Sequence, residues 1–196
     1  MNRLADRVCL VTGSTGIAAS AAERFAAEGG RVFVVSRTEA HARELGDRLE
    51  AGGGDAAWVA ADLTDEAAVE TEVGACVERF GRIDGLFSVA GGSGRCFGNG
   101  PIHTVGPEAW DRTLELNLTT QALVCRSVVA RMRTQEPNGS GTRGSILLMA
   151  SVTASDWTRP TAPPGAAHGS RSSCSSGADG PLRASQRRPR RTRARP

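Results

Sequence analysis

Five short apolar runs, each separated from the next by a stretch with helical spacing, restrict this chain more than any other feature. The runs are "RVCLVT" (7–12), "RVFVVS" (31–36), "AAWVAA" (56–61), "IDGLFSVA" (83–90) and "GSILLMAS" (144–151). None alternates apolar with polar residues, so each reads as a strand buried on both faces. Between them, apolar residues recur every four positions. Ile17, Ala21 and Phe25 mark one helix over 16–28, Leu45 and Leu49 a second over 39–51, and Val69, Val73 and Val77 a third over 65–80. Asp65 and Glu66 suit the positive first turn of the third helix. Pro107 suits the first position of a fourth helix, which the pattern carries to about Met132. Strand–helix alternation of this kind predicts an α/β protein with a doubly wound parallel sheet of about five strands.

The alternation stops near Ser155. The last 42 residues contain no Val, Ile, Phe or Met, one Leu (Leu182) and six of the nine prolines. Such a segment cannot bury enough apolar surface to offset about 1–2 kcal/mol of backbone entropy per ordered residue. The expectation is a domain over 1–154 and a disordered tail over 155–196. Charge divides at the same place. Residues 1–154 carry 15 Arg against 19 acids, and 155–196 carry nine Arg against two Asp. "RRPRRTRAR" (187–195) could neutralise nucleic-acid phosphates without reading bases, and no aromatic residue interleaves with it. A nucleic-acid partner is therefore not the expected function. All 24 basic residues are Arg, and the chain has no Lys and no Tyr.

The motif that carries chemistry is "VTGSTGIA" (11–18), between the first strand and the first helix. Gly13 and Gly16 allow a tight turn and a close backbone approach to a pyrophosphate. Ser14, Thr15 and Ile17 complete the loop and the helix start, where free N–H groups favour an anion. Its position makes it a Rossmann-like nucleotide site. At the end of the second strand an acidic residue would bind the ribose hydroxyls of NAD. Here Ser36 and Arg37 stand instead, and Arg can pair a 2′-phosphate, so NADP(H) is expected over NAD(H).

With these motifs in order, residues 5–152 resemble the short-chain dehydrogenase/reductase family. "TGSTGIA" is similar to its Gly-rich turn, with two residues rather than three between Gly13 and Gly16 and with Ala18 as the last position. "AADLTD" (60–65) resembles the adenine-contacting segment, which implies roles for Asp62 and Leu63. "SVAGG" (88–92) stands where the family has NNAG, which places Ala90 and Gly91 beside the cofactor. "LELNLTT" (114–120) resembles the helix bearing a structural and proton-relay Asn, here Asn117. "GSILLMASV" resembles the strand ending at the catalytic Ser, here Ser151.

The resemblance implies oxidation of an alcohol or reduction of a carbonyl on a small-molecule substrate. It also implies a Tyr-x-x-x-Lys motif about a dozen residues after Ser151. Pro164 and His168 stand at the corresponding spacing, and no Tyr or Lys exists elsewhere. A lost general acid/base costs about 10²–10⁴-fold in rate. The 196-residue chain is therefore expected to be inactive or nearly so. The runner-up is a non-catalytic NADP(H)-binding module. The composition change after Ser151 is expected to reflect a frameshift, with the fold's C-terminal part lost. Without it the fifth strand becomes an exposed apolar edge. A homo-oligomer is implied for the intact fold but not for this chain.

The five cysteines, Cys9, Cys76, Cys96, Cys125 and Cys174, form no C-x-x-C pair. Neither a disulfide framework nor a metal site is expected. No signal-like leader and no membrane-length apolar run stands in the sequence, which points to the cytoplasm. His41 is expected to be solvated on a polar helix face, and Trp110 to pack beneath its helix. His103 is placed near the substrate entrance.

Overall fold

The computed structural model describes residues 2–98 and 103–151. The tail expected over 155–196, with Pro164, His168 and Cys174, lies outside the described residues. Five parallel strands form one sheet: β1 (Val8–Thr12), β2 (Arg31–Ser36), β3 (Ala56–Ala60), β4 (Gly85–Ser88) and β5 (Ser145–Leu148), in the order β3-β2-β1-β4-β5. The helices are α1 (Ile17–Ala27), α2 (Glu39–Ala51), α3 (Glu66–Phe80), α4 (Pro107–Leu114) and α5 (Thr120–Thr134). This is the doubly wound, Rossmann-like arrangement expected from the apolar runs. The strand order reverses direction at β1, which pairs β2 on one side and β4 on the other. Ligands bind at such switch points, beyond the C-terminal ends of the strands.

The unbroken apolar strands are explained by a core on each face of the sheet. Val8, Leu10, Phe33 and Val35 point to one face and pack with Val69, Val73 and Cys76 of α3 and Val124 and Val128 of α5. Val11, Val32 and Val34 point to the other and pack with Ala18 and Ala22 of α1 and Leu45 and Leu49 of α2. Asp65 caps α3 through its side chain, which accepts from the Ala67 N–H at 2.9 Å. Cooperation between the two layers fixes the strand ends, and those ends carry the site.

Two elements differ from the sequence expectation. The helix read as continuous from Pro107 is interrupted by a π-helical turn at Glu115–Thr119. Two side chains compete for the backbone there. Asn117 Nδ2 donates to the Thr113 carbonyl at 2.9 Å, and Thr120 Oγ1 donates to the Glu115 carbonyl at 3.0 Å. Side chains that take backbone acceptors in this way disturb the regular ladder. Trp110, expected beneath its helix, is instead 51% exposed. At the other boundary, β5 is the edge of the described sheet. Ile146, Leu147 and Leu148 are exposed along it.

The cysteines separate by burial. Cys9 and Cys76 are buried and Cys96 is exposed; these three and Cys125 are free thiols. Burial pushes the Cys9 thiol up to about 11, with the Asp84 charge adding to it, and pushes Cys76 up to about 12. In the native chain Cys9 and Cys76 should resist a thiol reagent at pH 8 while Cys96 reacts, and unfolding should release both. The linkage follows in sign. Between pH 9 and about 11–12 the unfolded chain has lost thiol protons that the native chain keeps, so stability falls as pH rises. Each thiol adds a slope of roughly 1.4 kcal/mol per pH unit in that window. Urea unfolding from pH 8 to 11 measures it. A Cys76→Ala variant with an unchanged slope would show the assignment to be wrong.

Candidate functional site

The C-terminal ends of β1, β2, β3 and β4 surround a cavity of about 230 Å³. Gly13, Ser14 and Thr15 form one wall, Ser36 and Arg37 a second, Asp62 and Leu63 a third, and Ala90 and Gly91 a fourth. These nine positions, chosen from scattered motifs, meet in one place because each follows a strand end of the same sheet. Gly16 and Ile17 do not line the cavity. Gly16 is the N-cap of α1 with φ 54°, and Ile17 is 59% exposed at the helix start.

Backbone geometry makes the Gly-rich wall a tight turn. Gly13 has φ +98°, a conformation that L residues rarely adopt, and a Cβ there would stand 3.1 Å from Ala18 Cβ. The loop is also pinned. Gly13 N–H donates to the Val35 carbonyl at 2.7 Å, and Ser14 Oγ donates to Ser36 Oγ at 2.8 Å. Both serines are buried, so this bond holds the Gly-rich turn to the end of β2. Ser36, read as an empty place for an acid, thus has a structural task as well.

Opposite, Asp62 uses Oδ1 to accept from the N–H and hydroxyl of Thr64, at 3.0 and 2.8 Å. Its second oxygen accepts no hydrogen bond among the described residues.

The wall from β4 is held by two residues. Thr12 Oγ1 accepts from the N–H groups of Val89 and Ala90, both at 3.0 Å. Asn117 Oδ1 accepts from Gly92 N–H at 2.9 Å while its Nδ2 donates to the Gly92 carbonyl at 2.9 Å. The amide therefore grips one residue of the loop from both sides. A Cβ on Gly91 would lie 2.6 Å from Asn117 Oδ1, so this approach needs glycine. Asn117, expected as a structural and relay residue, spends both ends of its amide on backbone. Ser151, the last described residue, is exposed and does not line the cavity.

Sequence reasoning missed several cavity residues. Thr38, His41, Thr64, Leu116 and Thr120 line it, and Thr12 supports it from beneath. His41 is exposed, as expected for a polar helix face, and it also lines the cavity. Its position in the first turn of α2, four residues after Arg37, was the available signal, because that turn begins where β2 ends. Leu116 and Thr120 reach the cavity through the π-helical turn, a distortion with no sequence signature. Among the described residues, no three His, Cys, Asp or Glu side chains converge as a metal site would need. No described helix is long and apolar enough to cross a membrane.

A parallel sheet with a Gly-rich turn at its switch point, a carboxylate after β3 and a glycine-lined fourth wall has the architecture of a dinucleotide-binding protein. The family profile for short chain dehydrogenases matches residues 7–166, and the chain belongs to that family of oxidoreductases. It is 37% identical over 159 residues to Short-chain dehydrogenase reductase 5 of Arabidopsis thaliana, covering 78% of this chain and 55% of that one. It is 36% identical over 151 residues to the A-factor type gamma-butyrolactone 1′-reductase of Streptomyces virginiae, covering 76% of this chain and 55% of that one. A solved short chain dehydrogenase from Mycobacterium smegmatis superposes with a TM-score of 0.72 at 30% identity, covering 82% of this chain and 63% of that one. The chain spans about half the length of the curated relatives it matches.

Proposed function

We propose that this chain binds NADP(H) in the cavity at the strand ends, with Arg37 as its 2′-phosphate anchor. The observation that carries the reading is the state of Arg37. It sits at the cavity wall after β2, and among the described residues it has no hydrogen-bond or ion-pair partner. Ser36 stands where an acid would select the unphosphorylated ribose, and its hydroxyl is engaged by Ser14. The unpaired guanidinium is then available for a bidentate phosphate contact.

The other walls support the same ligand. Gly13 admits the pyrophosphate to the backbone, Asp62 holds the adenine side, and Ala90 and Gly91 face the nicotinamide side. When bound, the nicotinamide supplies or accepts a hydride. By its family the complete protein oxidises an alcohol or reduces a carbonyl, with Ser151 toward the substrate oxygen and Asn117 ordering the loop beside it. We place the protein in the cytoplasm, consistent with free thiols.

The 196-residue chain has no Tyr and no Lys to exchange the substrate proton or hold the ribose. This favours a second reading in which it binds the cofactor without catalysis. One experiment addresses both. The full chain is titrated with NADPH and NADH by fluorescence, then assayed with alcohol and ketone panels. Saturable binding with NADPH tighter than NADH is expected, with turnover at background. Arg37→Ala should weaken NADPH by about 10–100-fold and leave NADH nearly unchanged. Binding of NADH in preference to NADPH would overturn the cofactor assignment. Turnover well above background would remove the non-catalytic reading.

A further inference from the structure

We infer that His41 is a second specificity-determining residue for the cofactor's phosphomonoester, acting beside Arg37. The inference rests on the reading that the cavity takes NADP(H). His41 and Arg37 line the same cavity, with Ser36 and Thr38 between β2 and α2. The two are four residues apart in the chain and stand at one wall. Asp62, from the β3–α3 connection, lines the cavity as well and already accepts two bonds from Thr64.

Pairing on α2 sets these two residues apart. Arg43 is bound to Glu39 at 2.5 Å, and Arg48 is bound to Glu44 at 3.0 Å and to Glu23 at 3.1 Å. The outward arginines of α2 thus pair with acids of α2 and of α1. Neither His41 nor Arg37 receives such a partner among the described residues. Thr38 precedes the helix without donating or accepting a side-chain cap bond, so its hydroxyl is also uncommitted. Three donors without acceptors among the described residues therefore line the same cavity. A guanidinium, an imidazole N–H and a hydroxyl together suit a tetrahedral dianion with three terminal oxygens. A diol, which is what the ribose of NAD presents, gives them no charge to pair. His41 would therefore act on the choice between cofactors rather than on dinucleotide binding in general.

The test compares His41→Ala, His41→Arg and Arg37→Ala in the full chain, by fluorescence titration with NADPH and with NADH. His41 is on the helix surface, so these changes leave both cores intact. His41→Ala is expected to weaken NADPH by roughly 3–10-fold and to leave NADH unchanged, as for a partly exposed charge-assisted contact. His41→Arg should restore NADPH binding to at least the parent level, because a donor is returned to the same position. If His41→Ala binds NADPH as the parent does while Arg37→Ala does not, the inference fails and the NADP(H) reading stands. Equal weakening toward both cofactors would also overturn it, because His41 would then serve the dinucleotide as a whole. If the parent chain itself fails to prefer NADPH, the reading and the inference fall together.

Discussion

Asp84→Ala should lower the unfolding free energy by about 3 kcal/mol, at the low end of what breaking a buried ion pair costs. The Asp84 side chain is 4% exposed and lies at the N-terminal end of β4. Its Oδ2 accepts from Val8 N–H at 3.0 Å, and Arg82 Nε reaches both carboxylate oxygens at 3.1 Å. Arg7 approaches Oδ1 at 3.4 Å. The backbone of the same residue bonds to Val8 on β1 and to Ser145 at the start of β5. One residue thus ties three strands together at the end of the sheet opposite the cavity.

Alanine would leave the Val8 amide without an acceptor and two guanidiniums without their anion. Those guanidiniums are 27–30% exposed and can turn to water, which is why the low end of the range applies. For a chain of this size the loss corresponds to a Tm drop of roughly 6–12 °C. Asp84→Asn keeps an acceptor for Val8 and should recover about half. Removing the charge should also let Cys9 ionise more readily, since Asp84 adds to its raised pKa. Urea unfolding checks the first effect, and thiol reactivity against pH checks the second. A loss below about 1 kcal/mol would mean that water replaces the carboxylate without penalty.

The contrast between Asp84 and the strands shows what the sequence can and cannot carry. Strand positions were legible because burial on two faces demands unbroken apolar runs, and β2 and α2 lie where the spacing put them. The cavity walls were legible because each follows a strand end and uses a residue type that a dinucleotide requires. Asp84 was not legible. The run "IDGLFSVA" takes Asp84 in without assigning it a task, and only Arg82 beside it and the arrival of Arg7 and the Val8 amide from β1 and its approach make it a buried anchor. The π-helical turn was hidden for a related reason. "LELNLTT" keeps helical spacing on both sides, and the distortion comes from two side-chain bonds to backbone carbonyls. His41 was read as solvated and is exposed; that its surface also lines the cavity was not legible from its neighbours on α2. Asp84 depends on contacts between segments far apart in the chain and the π-helical turn on short-range side-chain bonds, and periodicity encodes neither.

Thr12→Val follows the same logic into the site itself. Thr12 is the last residue of β1 and fully buried. Its hydroxyl accepts from the Val89 and Ala90 amides, and with both lone pairs taken its proton goes to Ser88 Oγ at 3.4 Å. Valine has the same shape and suits a strand, so packing changes little. What is lost is the acceptor shared by two half-buried amides. Each unsatisfied amide costs about 1–3 kcal/mol, so Thr12→Val should destabilise the fold by roughly 2–4 kcal/mol.

The functional effect comes through the loop. Ala90 and Gly91 line the cavity between two anchors, the Val89 and Ala90 amides on Thr12 and the Gly92 backbone on Asn117. With one anchor removed, the fourth wall loses its fixed position, and NADPH and NADH should weaken together, by about tenfold. Equal weakening would separate this residue from Arg37 and His41, whose removal is expected to act on NADPH alone. Thr12→Ser keeps the acceptor and should return most of both losses. Amide hydrogen exchange gives the direct reading, because Val89 and Ala90 should exchange faster in Thr12→Val and not in Thr12→Ser. Unchanged exchange with unchanged stability would show that the two bonds do not hold the loop, and the wall would then depend on Asn117 alone.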